Sequence, residues 1–159
     1  MGPPSVDISG VSVRRLARHV DGRGWLAEIF RSDELSADLR PEMGYVSVTL
    51  PGHARGPHEH RHQTDIFCFP GPGDLDLYLW DGRGGEAAPR RHVLRVGASN
   101  PAVVMIPPGV VHAYRAVGEQ PALVLNFANR LYAGPGRREP VDEIRHEDRP
   151  GSPYVLEAG

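Results

Sequence analysis

The chain has 159 residues, enough for one domain with a sizeable core and too few for two. A formal net charge of -2 excludes the basic footprint that nucleic-acid binding requires. All 18 basic residues are arginine, so catalysis through a lysine Schiff base is excluded as well.

In chain order, residues 1–10 carry no basic stretch followed by an apolar run. They read as a loose N-terminal tail rather than a signal peptide. Short apolar or alternating runs follow at residues 11–16, 25–30, 45–50, 66–69, 75–80, 92–96, 102–106, 110–117 and 122–127. Residues 32–40 read as briefly helical, with Ser32 as N-cap, Asp33 and Glu34 in the first turn and Pro41 beyond the end. Residues 137–159 are polar and rich in Pro and Gly, which predicts an irregular, partly packed C-terminal segment. Short strands at even spacing, with 19 Gly and 16 Pro to turn the chain, predict a single all-β sandwich or barrel over residues 1–159. No apolar run approaches membrane-spanning length, so a cytoplasmic protein without membrane contact is expected. The lone Cys68 lies in Ile66-Phe67-Cys68-Phe69 and reads as core packing rather than a nucleophile.

Chemistry concentrates in the histidines. Four of the eight fall within residues 53–62, and His112 follows Pro107-Pro108-Gly109. On a strand His58 and His60 point to one face, and so do Gln63, Asp65 and Phe67 on the next. A barrel brings such separate pieces to one lumen. Asp65 beside Ile66-Phe67 demands a partner, because an isolated buried charge is very costly. His53 and His62 read as loop residues near the pocket mouth, and His19 and His146 as exposed.

The spacing G-x5-H-x-H-x4-D-x5-G, followed by P-x-G-x-x-H, resembles the two signature motifs of the cupin superfamily. That resemblance implies a double-stranded β-helix, or jelly-roll barrel. In metal-binding members the matching positions are ligands, here His58, His60, Asp65 and His112, with Asp65 in place of the usual glutamate. Such a set suits a divalent transition metal such as Fe, Mn, Ni or Zn.

A second resemblance covers residues 11 to about 148. The segment 21–30 (Asp21-Gly22-Arg23-Gly24-Trp25-Leu26-Ala27-Glu28-Ile29-Phe30) is similar to the D-x-R-G-x-F-x-E-x-F opening of dTDP-4-dehydrorhamnose 3,5-epimerases. Arg55-Gly56-Pro57-His58 resembles their R-G-L-H, residues 106–114 their I-P-x-G-F-A-H-G-F, and Tyr132-Ala133-Gly134-Pro135 falls where their catalytic tyrosine lies. The family order is kept. The resemblance implies a cofactor-free isomerase of a nucleotide-linked 4-keto-6-deoxy sugar, with His58 as base and Tyr132 as the acid on the opposite face. By the same resemblance Arg23 and Glu28 contact the nucleotide, and Ser47 lines the substrate groove. His112 or Arg55 stabilises charge on the ketone oxygen or diphosphate, and His60, Gln63 and Asp65 complete the pocket. Relatives are typically homodimers, with residues 11–16 as a candidate exchanged or pairing element. Elementary chemistry agrees on the base: a proton beside a carbonyl is removable when the enolate is stabilised, and imidazole titrates near neutrality.

The chain departs from the pattern in places. Gln63-Thr64-Asp65 replaces a glutamine followed closely by lysine, and Met43-Gly44-Tyr45 replaces Q-x-N. No counterpart of the family's tail aspartate is found before Gly159, so Asp65 or Glu59 is the expected orienting partner of His58. Arg55-Gly56-Pro57-His58-Glu59-His60 also resembles the R-G-x-H-A-H of dTDP-4-keto-6-deoxyglucose 3,4-ketoisomerases. That leaves a ketoisomerase as the second reading. A metal-binding cupin, either dioxygenase-like or a small-molecule binding module, is the third, and an inactive sugar-binding relative the fourth.

Overall fold

The computed structural model describes residues 5–85 and 89–157. The strands are β1 Ser12–Arg15, β2 His19–Asp21, β3 Gly24–Leu26, β4 Met43–Thr49, β5 Ala54–Glu59, β6 Asp65–Phe69, β7 Asp74–Asp81, β8 Arg91–Gly97, β9 Ala102–Ile106, β10 Val110–Val117, β11 Ala122–Ala128 and β12 Ile144–Arg145. They form two five-stranded antiparallel sheets, ordered β1-β9-β6-β11-β4 and β12-β5-β10-β7-β8, with β2 and β3 as a separate hairpin. This is the all-β double-stranded β-helix of the cupins.

Alternation decides what each strand buries. Phe67 and Phe69 of β6 face the opposite sheet, where they meet Leu75, Leu77 and Leu79 of β7 and Tyr114 of β10 in the main core. Ile66 and Cys68, on the other face of β6, are covered by Leu16, Ile29 and Leu35. Burial pushes the Cys68 thiol up to about 11, so it packs as an apolar group. On the outside of the other sheet, Tyr154 and Leu156 cover Tyr78 and Trp80. The C-terminal segment is thus packed down, and it adds β12 to β5.

Several expectations change. Residues 1–4 of the expected loose tail lie outside the described residues, but Ile8 is buried in the core, so the remainder is anchored. The strand expected at 25–30 is reduced to Gly24–Leu26, because the chain leaves the hairpin to cover β6 with Ala27 and Ile29. The helix expected at 32–40 is a single 3-10 turn at Ala37–Leu39. So short a segment does not recover the cost of helix nucleation, and Arg31 draws Asp33 into a local ion pair instead. Strand β1 pairs with β9 within this chain, on the edge of its sheet. His146 is buried against Glu59 and Tyr154 rather than exposed. Among the described residues no helix is long and apolar enough to cross a membrane.

Candidate active site

Strand register gathers the histidines. His112 of β10 pairs directly with His58 of β5, so both side chains emerge on one face, 4.5 Å apart between ring centroids. His60 follows two residues later, and its ring lies 5.9 Å from His58 and 6.0 Å from His112. The β5–β10 register slips between His112 and Tyr114, and Gly56 sits in the slip. Its φ is +79°, and a Cβ there would meet the His112 carbonyl oxygen at 2.6 Å. Only glycine fits. The Arg55-Gly56-Pro57-His58 block therefore presses the His58-bearing strand against β10.

Beneath the histidines lies Asp65, 1% exposed. Its Oδ1 accepts hydrogen bonds from Gln63 Nε2 and Asn126 Nδ2, both at 2.8 Å. Its Oδ2 lies 3.2 Å from His60 Nε2 and 3.4 Å from His112 Nε2. At the longer separation the His112 nitrogen forms no hydrogen bond. Burial alone would push the Asp65 carboxyl up, but the two imidazoles outweigh it and hold the group well below the usual carboxylate range. Burial would likewise lower His60. The hydrogen bond and charge of Asp65, with the Asp142 carbonyl on Nδ1, overturn that and raise it to about 9. His60 is an imidazolium at neutral pH. His58 goes the other way. Burial, then the charges of His112 and His60, lower it to about 2, so it stays neutral with a lone pair to offer.

The expected partners of His58 are elsewhere. Asp65 is committed to His60 and His112, and Glu59 bonds His146 at 2.8 Å. The carboxylates facing His58 Nδ1 are Glu143 at 3.8 Å and Glu147 at 4.0 Å, from the segment that enters and leaves β12. Asp142, just before them, accepts the backbone N–H groups of Arg61, His62 and Gln63 and so fixes the loop after His60. A signal for these residues was present: Glu143, Arg145 and Glu147 alternate, as on a strand with one polar face.

A cavity of about 940 Å³ opens above this floor. Ser47, Arg55, His58, His60, Gln63 and Tyr132 all line it, while Asp65 and His112 lie buried below. Ser47 shares a hydroxyl contact with Tyr114 at 3.3 Å. Arg55 donates to Thr49 Oγ1 and the Val48 carbonyl. Tyr132 stands at the rim, 55% exposed. One ring nitrogen from each of His58, His60 and His112 falls within 4.8 Å of the others, the spacing of a metal triad. Ligation by His60 would first break its bond to the Asp142 carbonyl or its pairing with Asp65.

No family model matches the chain. A protein of Haloferax volcanii named "Probable low-salt glycan biosynthesis epimerase Agl13" is 37% identical over 130 residues, 79% of this chain and 81% of that one. The spore coat polysaccharide biosynthesis protein SpsL of Bacillus subtilis is 35% identical over 128 residues, 79% and 82% of the two chains. A solved dTDP sugar isomerase from Desulfovibrio desulfuricans G20 superposes with a TM-score of 0.75 at 25% identity, covering 93% of this chain and 91% of that one. The chain belongs to the dTDP-sugar epimerase and isomerase family.

Within this epimerase-family chain two of the expected substrate-binding residues stand apart from the cavity. Arg23 sits at the tip of the β2–β3 hairpin, 90% exposed and paired with Asp21 at 2.5 Å. Glu28 is exposed beside Arg31. Neither lines the cavity of its own chain. The remaining expected residues converge there or directly beneath it.

Proposed function

We propose that this chain, acting as one domain, epimerises a dTDP-type 4-keto-6-deoxy sugar without a cofactor. His58 takes the proton beside the ketone and Tyr132 returns one from the other face. The observation that carries this is the placement of the imidazoles at the cavity: His58 lines it with its ring 4.5 Å from His112 and 5.9 Å from a His60 that Asp65 holds. A base must be unprotonated to act, and a fixed positive charge nearby favours the enolate. Glu143 and Glu147 face the other side of His58 and steady the imidazolium that forms. The cavity is large enough for a nucleotide sugar, and Arg55 and Arg130 on its wall suit the diphosphate.

The same reading includes a homodimer. On edge strand β4, Val46 and Val48 expose a row of apolar side chains that Leu50 continues, and the hairpin exposes Val20, Trp25 and Leu26. An apolar edge of this kind calls for a partner. A second copy would cover it and offers the route by which Arg23 and Glu28 approach a nucleotide. The free thiol of Cys68 suits a reducing, cytoplasmic setting.

The test is incubation with dTDP-4-keto-6-deoxyglucose in D2O. Deuterium at C3 and C5 is expected, and His58→Ala should abolish it. Deuterium confined to C3 with the ketone moved would replace the epimerase with a 3,4-ketoisomerase, and no exchange at either carbon would overturn the reading. Near-stoichiometric metal in protein purified without a nickel column, lost in His60→Ala, would favour the metal-binding alternative.

A further inference from the structure

Enolisation needs a donor aimed at the oxygen that gains charge, and most donors on the cavity wall are already committed. His60 is held by Asp65 and the Asp142 carbonyl, Gln63 Nε2 gives one hydrogen to Asp65, and Arg55 spends two of its donors on Thr49 and Val48 and faces the diphosphate with the rest. His112 lies beneath the wall. With no lysine in the chain, an ammonium cannot serve.

Tyr45 is different. It lines the cavity, on the inward face of β4, opposite Asn126 in the β4–β11 register. Asn126 Nδ2 donates at 2.8 Å both to the Tyr45 oxygen and to Asp65 Oδ1. The opposite amide orientation would set its oxygen against the carboxylate, so the direction of both bonds is fixed. The Tyr45 oxygen is therefore an acceptor toward Asn126, and its own proton is left for another partner. Accepting that bond also polarises the O–H and strengthens it as a donor. Burial raises the phenol above its ordinary value, so it keeps the proton at neutral pH.

We propose that the Tyr45 hydroxyl donates a hydrogen bond to the sugar's ketone oxygen as it becomes an enolate. The inference rests on the proposed enolisation. His58 removes the proton beside the ketone, the C–H electrons form the C=C bond, and the carbonyl π electrons move onto oxygen. Tyr45 shares its proton with that oxygen without giving it up, and the pair returns to carbon when a proton is delivered there.

The experiment compares wild type and Tyr45→Phe for deuterium exchange and for inversion with dTDP-4-keto-6-deoxyglucose. Binding of dTDP alone and thermal unfolding are measured alongside. Loss of one such donor lowers kcat by about 10²–10³-fold. Exchange and inversion should fall together, because both cross the same enolate, while dTDP binding stays unchanged and the melting temperature falls by only the few degrees that one lost partner of Asn126 costs. Wild-type rates in Tyr45→Phe would overturn the Tyr45 assignment alone. So would loss of inversion with exchange kept, which marks a carbon acid, or loss of dTDP binding. An inert wild type would overturn the enolisation reading, and this inference with it.

Discussion

Strand β6 begins at Asp65 and ends at Phe69, and both side chains face the opposite sheet, fully enclosed. Around Phe69 the barrel is filled by Leu75, Leu77, Val96 and Tyr114, with stacked and edge-on rings supplying the fit. Around the Asp65 carboxylate, four residues earlier, the partners are polar: Gln63, Asn126, His60 and His112. The apolar end is non-directional and tolerant, since burial of area is its main contribution. The polar end holds only while each partner is present, because a buried charge stripped of its partners is far more costly than a lost contact. One strand thus joins a stretch chosen for stability to a stretch chosen for chemistry.

Substitutions at the two ends should separate these roles. The largest effect is expected for Asp65→Ala, at about 3–5 kcal/mol of unfolding free energy, because two histidines, Gln63 and Asn126 lose a common partner. Denaturant unfolding reads this directly, and a cost below that of a surface change would break the comparison. Leu77→Ala in the apolar region should cost about 2–5 kcal/mol through the cavity it leaves. Its rate of deuterium exchange, corrected for folded fraction, should match wild type. A large loss of exchange there would show that the two ends are not separable.

The smallest effect is the shape of the pH–stability curve. His60 is raised to about 9, so between its ordinary value and 9 the folded state holds a proton the unfolded chain has released. Its contribution is full below about pH 6.5 and is lost as pH rises through about 9. His58, lowered to about 2, and Asp65, held low, both make the folded state poorer in protons, so their stabilisation fades as pH falls. Stability should therefore peak near neutrality. His60→Gln should flatten the alkaline limb and also soften the acid limb, since the His60 charge helps hold His58 and Asp65 low, as read by melting temperature from about pH 5 to about pH 10.

Legibility in the sequence follows the same division. The strands of the apolar core were readable because Leu75–Trp80 and its neighbours carry continuous or alternating β-formers. Strand β5 carries Gly56 and Pro57 among polar residues and shows no such pattern, although His58 and His60 still marked its face. The polar cluster was legible from spacing alone, since two-residue periodicity fixes side-chain direction on any strand. For Glu143 and Glu147 the alternation marked a polar face but not its partner, because their place depends on a two-residue pairing, Ile144 with Glu59 and Arg145 with His58, that no local propensity foretells. The segment at 25–30 misled for the opposite reason: its residues are good β-formers, but Val20 and Trp25 form a hairpin outside both sheets.

Residues 129–143 span from β11 to β12 and pass over the cavity with Tyr132, Asp142 and Glu143 on one continuous stretch. His58 belongs to the barrel, whereas the residues above it belong to a span tied to the barrel at Asp142, which pins the loop after His60. Exchanging the part of that span before Asp142 would change the roof of the cavity while keeping this tie. Diversification of such catalysts would then proceed by trading one short roof.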